Sequence, residues 1–147
     1  MAHLWDALRL RPEIARTLAA HDRAVDRGSV DPRTKALCAV MVAWLNACER
    51  CVENNLDAAR ELGVSQTALD ALERYTESDE FSADQRVALE AAVAITREPR
   101  GVSPVLCERL RVHFDDGQIV ELVAAIGLQN YLSRASNAFR TAIASSD

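Results

Sequence analysis

From Ala36 to Leu45 the chain reads Ala-Leu-Cys-Ala-Val-Met-Val-Ala-Trp-Leu, ten residues with no charge among them. Asp31-Pro32 stands just ahead, a capping side chain followed by a proline suited to the first turn of a helix. Coiled into a helix, such a run is apolar on every side. It cannot lie on a surface with one face in water, so it must sit in a core or a subunit interface, surrounded by other elements. It is also well short of the roughly 20 apolar residues that span a bilayer.

The remaining punctuation predicts helices around it. A short helix is expected over 2–10. A second starts at Pro12 and runs to about Arg27, with Gly28 as its stop. Asn46-Ala47 breaks the apolar helix, and a new one begins near Cys48 and ends at Leu62-Gly63. Ser65 caps a helix over 66–74, and 75–80 reads as loop. Ser82-Ala83-Asp84-Gln85 has capping-box form ahead of a helix to about Arg97. Ser103-Pro104 opens another to His113. Asp115-Asp116-Gly117 punctuates before a last helix from Gln118 toward Ala144, and the tail 145–147 is expected to fray. The expectation is an all-α, single-domain bundle of about seven helices over 1–147. Five Gly and four Pro in 147 residues agree with it.

Net charge is −5, and Lys35 is the single Lys. An acidic chain whose Arg and acidic residues interleave is not built to follow a phosphate backbone, so no nucleic-acid partner is expected. The first residues lack the basic and apolar regions of a secretion signal. The expectation is a cytoplasmic protein with no membrane partner. In a reducing compartment four cysteines are not a structural disulfide set, and a close pair is redox-active or metal-binding.

That pair is Cys48-Glu49-Arg50-Cys51. At a helix start the two thiols lie one turn apart on one side. The unpaired N–H groups and the helix dipole favour a thiolate there, and Arg50 adds to the effect. A thiolate attacks a peroxide or a disulfide, and the second thiol resolves the product. Zinc would require two more ligands, and Cys38, Cys107 and the three His form no second Cys-x-x-Cys or His-x-x-His. No metal or cofactor is therefore expected. Two inert, buried cysteines remain the competing reading. A thioredoxin fold lacks its βαβ pattern here.

The stretch Asp31-Pro32-Arg33-Thr34-Lys35-Ala36-Leu37, then Val42 to Val52 with its cysteine pair, then Asn54-Asn55 and Ala58 to Ser65, resembles the core of alkylhydroperoxidase D-like / carboxymuconolactone decarboxylase proteins. The segments Phe81 to Leu89, Ile95-Thr96-Arg97, His113-Phe114, Ile119 to Leu122 and Asn130 to Arg134 are similar to later parts of that family. The resemblance implies an all-α fold assembled as a homo-oligomer, commonly a trimer or hexamer. It implies thiol peroxidase chemistry on a small-molecule peroxide or disulfide, with a thiol as electron donor. It makes Cys51 the attacking residue and Cys48 the resolving one.

Two positions depart from the pattern. The family's peroxidases carry a Glu twelve residues before the first Cys and a His four residues after the second. Here those positions are Ala36 and Asn55. Ala accepts no proton, and Asn hydrogen-bonds without titrating. Glu49 and Glu53 project roughly 100–140° away from Cys48 on a helix and do not face it. Asn55, Arg50 and His113 are kept as auxiliary candidates. Glu121, an acid among apolar residues, is expected to pair with an Arg such as Arg134. Trp44, Met41 and Cys38 are expected in the core, and Cys107 partly exposed. The alternatives to a thiol peroxidase or disulfide oxidoreductase are a decarboxylase-type enzyme on a small organic acid, with Arg134 and His113 in its pocket, and an inactive family member.

Overall fold

The computed structural model describes residues 4–142, and all regular structure among them is helical. The elements are α1 (Leu4–Leu8), α2 (Pro12–Asp26), α3 (Pro32–Leu45), α4 (Glu49–Glu61), α5 (Gln66–Asp70), a 3-10 turn (Leu72–Arg74), α6 (Ala83–Arg97), α7 (Pro104–Arg111) and α8 (Asp116–Ala142). The expected fraying at 145–147 and the outer ends of the first and last helices lie outside the described residues.

The apolar helix is the centre of the assembly. α3 packs against α4, α6 and α8. Its Leu37, Cys38, Val40, Met41, Val42 and Ala43 are all buried. Burying one Leu or Met side chain of this kind contributes about 1.5–3 kcal/mol. Around it stand Leu89, Ala88 and Ala92 of α6, and Leu122 and Ile126 of α8. Trp44 is the exception: it is 45% exposed, against the expectation of core packing. Hydrophobicity all round a helix does not say which side its last turn leaves uncovered.

Local chemistry sets the boundaries. The Asp31 side chain accepts from the Arg33 N–H at 2.7 Å. Ser65 and Ser103 accept from Ala68 and Leu106 in the same way. Ser82 and Gln85 form the expected capping box of α6.

Several boundaries differ from the sequence reading: α1 ends at Leu8 and α7 at Arg111, each two residues early. The helix expected over 66–74 tightens into a 3-10 turn at Leu72. α8 begins at Asp116, because Asp115 and Gln118 cap each other: Gln118 N–H donates to Asp115 Oδ1 at 2.8 Å, and Asp115 N–H donates to Gln118 Oε1 at 3.1 Å. Gly117 sits inside that first turn, where its N–H has no intrahelical partner to lose.

Glu121 does not pair with Arg134. Its carboxylate accepts from Lys35 Nζ at 2.7 Å and from the N–H groups of Ser29 and Val30, tying α8 to the start of α3. Gly28 makes room for it: a Cβ there would stand 2.0 Å from the Glu121 carboxyl carbon. Burial alone would raise the Glu121 pKa. The Lys35 ammonium and the two N–H donors outweigh burial and hold it below the ordinary carboxylate value. The sign follows: the folded state releases this proton more readily than the unfolded chain, so the contribution is present above the ordinary Glu range. It is lost as pH falls through the lowered folded pKa. Glu121→Gln should therefore flatten the acid limb of stability against pH, as read by urea denaturation across that range.

Candidate functional site

The α3–α4 connection places the cysteines. The Ala47 N–H donates to Trp44 O at 2.9 Å, and the Cys48 N–H donates to Ala43 O at 3.1 Å. Ala47 adopts a left-handed backbone, φ 51°, at the position where helices usually end on Gly. The chain so turned delivers Cys48 as the N-cap of α4, and Cys51 follows within the first turn. Cys48 and Cys51 are joined by a disulfide, with their Cα atoms 5.2 Å apart.

A polar network on α8 clamps this turn. Asn46 Nδ2 donates to Asn130 Oδ1 at 2.9 Å, and Arg134 Nε donates to Asn46 Oδ1 at 3.0 Å. Asn137 Nδ2 donates to the Asn46 carbonyl at 2.9 Å. Asn130 and Arg134 also donate to Thr96 of α6. Asn130 and Arg134 thus hold the α3–α4 turn against α6 and α8. Asn46→Ala removes the hub. It should cost about 2–4 kcal/mol, at about 1 kcal/mol per bond plus partners left unsatisfied, read by chemical denaturation.

The two sulfurs are unequally placed. Cys48 is 2% exposed, whereas Cys51 is only partly covered. Cys51 opens on a cavity of about 120 Å³ that Arg50, Asn54, Asn55, Gln129 and Ser136 help to line. The N–H groups of Glu49, Arg50 and Cys51, at the start of α4, have no hydrogen-bond partner among the described residues. They can stabilise a negative sulfur. Arg50 is exposed at this cavity, as its position between the cysteines predicts.

Ala36 and Asn55 come together. Both line a larger cleft of about 540 Å³ between α2, α3, α4 and α8. The Asn55 side chain donates to the Ala39 carbonyl at 3.1 Å, which holds it against α3. Asn55, Gln129 and Leu132 line both cavities, so the cleft and the Cys51 cavity share a wall. Gln129 is a residue the sequence reading missed. It is 8% exposed and donates to Ser133 at 3.0 Å. Its register with Leu122, Ile126 and Ser133 on the buried stripe of α8 is the signal that could have found it.

His113 is not brought to this site. It lies beside Arg86 and Arg109 in a separate depression between α6 and α7. Cys38 is buried, and desolvation pushes its thiol up to about 12, so it stays protonated and inert. Cys107 is partly exposed on α7. Among the described residues no three His, Cys, Asp or Glu side chains are grouped to hold a metal ion. No described helix is long and apolar enough to cross a membrane.

Known proteins share this architecture. YnjA of Escherichia coli (strain K12), an uncharacterized protein, is 36% identical over 113 residues, which is 76% of this chain and 62% of YnjA. The chain thus spans less than two thirds of that relative. The crystal structure of ATU0492 from Agrobacterium tumefaciens, a protein of unknown function and candidate antioxidant defence protein AhpD, superposes with a TM-score of 0.85. It is 25% identical, and the match covers 92% of this chain and 94% of that one. A variant of the debrominase Bmp8, in complex with 2,3,4-tribromopyrrole, shares the fold at a TM-score of 0.82 and 18% identity, covering 94% of this chain and 74% of that one. The pattern of the carboxymuconolactone decarboxylase family matches residues 12–94, from the start of α2 through the cysteine pair into α6. This chain belongs to the carboxymuconolactone decarboxylase family and has its alkylhydroperoxidase D-like fold.

Proposed function

We propose that the protein is a thiol oxidoreductase that reduces a small-molecule peroxide or disulfide through Cys48 and Cys51. The observation that carries this reading is the pair itself: a disulfide at the first turn of α4, one sulfur buried and the other facing a cavity. In the reduced protein Cys51 is the attacking thiolate. With a hydroperoxide, its sulfur bonds the terminal oxygen, the O–O bond breaks, and an alcohol leaves with one proton. The sulfenic acid so formed condenses with the Cys48 thiol, giving the internal disulfide and water. With a disulfide, Cys51 displaces one thiolate and Cys48 displaces the other. An external dithiol supplies the two electrons that restore both thiols.

The positions at 36 and 55 bear on rate. With Ala and Asn there, no titrating side chain of the pattern stands ready to take the Cys51 proton, and the α4 terminus with Arg50 is what remains to favour the thiolate. The reading includes a homo-oligomer, as the resemblance to the family implies. Mass spectrometry of the reduced protein, before and after one equivalent of hydroperoxide or disulfide, tests the reading. The expected product is a Cys48–Cys51 linkage with Cys38 still free. Unchanged thiols under both oxidants would end the proposal and favour an inactive family member.

A further inference from the structure

The Cys51 cavity is built to stabilise an anion without protonating it. Its volume of about 120 Å³ is well below the roughly 300–1,000 Å³ of a drug-sized pocket, so it takes a short oxidant. Among the described residues no Asp, Glu, His, Lys or Tyr lines it. Besides Cys51, its polar lining is Arg50, Asn54, Asn55, Gln129 and Ser136. Amides and a serine hydroxyl donate hydrogen bonds without giving up a proton near neutral pH, and a guanidinium keeps its charge. None of these side chains is a general acid.

Two of the donors are fixed before any substrate arrives. Asn55 spends one amide N–H on the Ala39 carbonyl, and Gln129 spends one on Ser133. Each amide carries two N–H groups, so each keeps one. Gln129 is also more than nine-tenths buried. Arg50 is the cavity's one charged side chain, and it has no ion-pair or hydrogen-bond partner among the described residues. Donors held in place in advance lower the cost of negative charge that develops beside them.

The leaving group meets this lining. When a thiolate attacks an alkyl hydroperoxide, the departing alkoxide is a strong base and must be handed a proton. When it attacks a peroxycarboxylic acid, the departing carboxylate is a weak base and needs none. We propose that the preferred oxidant of this protein is a short peroxycarboxylic acid, whose carboxylate is held by Gln129, Asn55 and Arg50 as it leaves. The inference rests on the thiol oxidoreductase reading and names its substrate class. The Cys51 thiolate sulfur bonds the terminal hydroxyl oxygen, the O–O bond breaks, and its electron pair departs on the carboxylate. The products are the Cys51 sulfenic acid and the carboxylate, with no proton transferred. The Cys48 thiol then condenses with the sulfenic acid and releases water, and an external dithiol restores both thiols.

The test compares peroxyacetic acid with ethyl hydroperoxide, an oxidant of nearly equal size. Second-order rates of Cys51 oxidation in the reduced protein are read by rapid quench and mass spectrometry of the Cys51 peptide. The same two oxidants are run on free N-acetylcysteine. The ratio of the two rates cancels the thiolate fraction, which is common to both. The ratio for the protein should exceed that for the free thiol about tenfold or more, the scale of one hydrogen bond to a charged group. Gln129→Leu, and separately Arg50→Gln, should lower the ratio by slowing the peroxyacetic acid reaction more than the other. A side chain that served packing alone would slow both alike and leave the ratio where it was. A ratio no greater than that of the free thiol, or one unmoved in both variants, overturns the proposal. The oxidoreductase reading survives that result if the Cys48–Cys51 bond still forms with either oxidant. Thiols left untouched by both oxidants and by a disulfide end that reading, and this inference with it.

Discussion

If the proposed chemistry holds, Cys51→Ser should remove peroxide and disulfide reduction to background, while Cys48→Ser should leave a protein that captures substrate and stops. This asymmetry follows from placement. Cys51 faces a cavity and sits where the unpaired N–H groups of α4 can stabilise a thiolate; Cys48 is 2% exposed beneath it. With Cys48 replaced, attack on a disulfide proceeds and no second sulfur can displace the bound half. A one-to-one mixed disulfide at Cys51 should accumulate, read as an added mass on the Cys51 peptide. With Cys51 replaced, no adduct should form at Cys48 on that timescale. Adducts at Cys48 alone would reverse the assigned order. Near-native stability is expected of both variants, because the reduced protein already lives without the bond.

Ala36→Glu with Asn55→His should raise peroxide reduction by about 10²–10⁴-fold, the usual worth of positioned general acid–base help. Both residues line one cleft of about 540 Å³, and that cleft shares a wall with the Cys51 cavity. There is space for the longer side chains, and α3 and α4 already hold the two positions toward each other through the Asn55–Ala39 bond. A His at 55 gives Cys51 a proton acceptor, and a Glu at 36 can orient it. Stopped-flow oxidation of the reduced double variant, against each single variant, reads the gain. Gain in the double alone shows that the two act as a unit. No gain, with Cys48–Cys51 still cycling, would mean that the cleft geometry does not aim these positions at the sulfur.

Much of the architecture was legible because its determinants are local. Asp31-Pro32, Ser65, Ser103-Pro104 and the Ser82/Gln85 box each mark a helix start by hydrogen bonds within four residues, and each forms as written. The apolar run at 36–45 placed α3 at the centre for the same reason: ten uncharged residues admit few surroundings. The cysteine pair and its register at a helix start were equally local. What was missed depends on partners far along the chain. Glu121 meets Lys35 and the Ser29 and Val30 amides, some 90 positions away, and no periodicity favours Lys35 over Arg134. His113 was a candidate by residue type alone, and the packing of α7 on α6 carries it to another face. Gln129 was passed over because one amide in an apolar helix looks like an imperfection until the cavity beside it is seen.

The turn at Asn46–Ala47 has one more consequence. Cys48 belongs at once to the motif that closes α3 and to the cap that opens α4. Its backbone is pinned to Ala43, and its neighbour Asn46 is pinned to α8, by contacts in which neither sulfur takes part. The disulfide itself bridges residues only three apart and so constrains the unfolded chain little beyond what its neighbours already do. Opening and closing the bond should therefore be insulated from the cooperativity of the fold: the globule is expected to stay assembled in both states, with only the first turn of α4 having to yield.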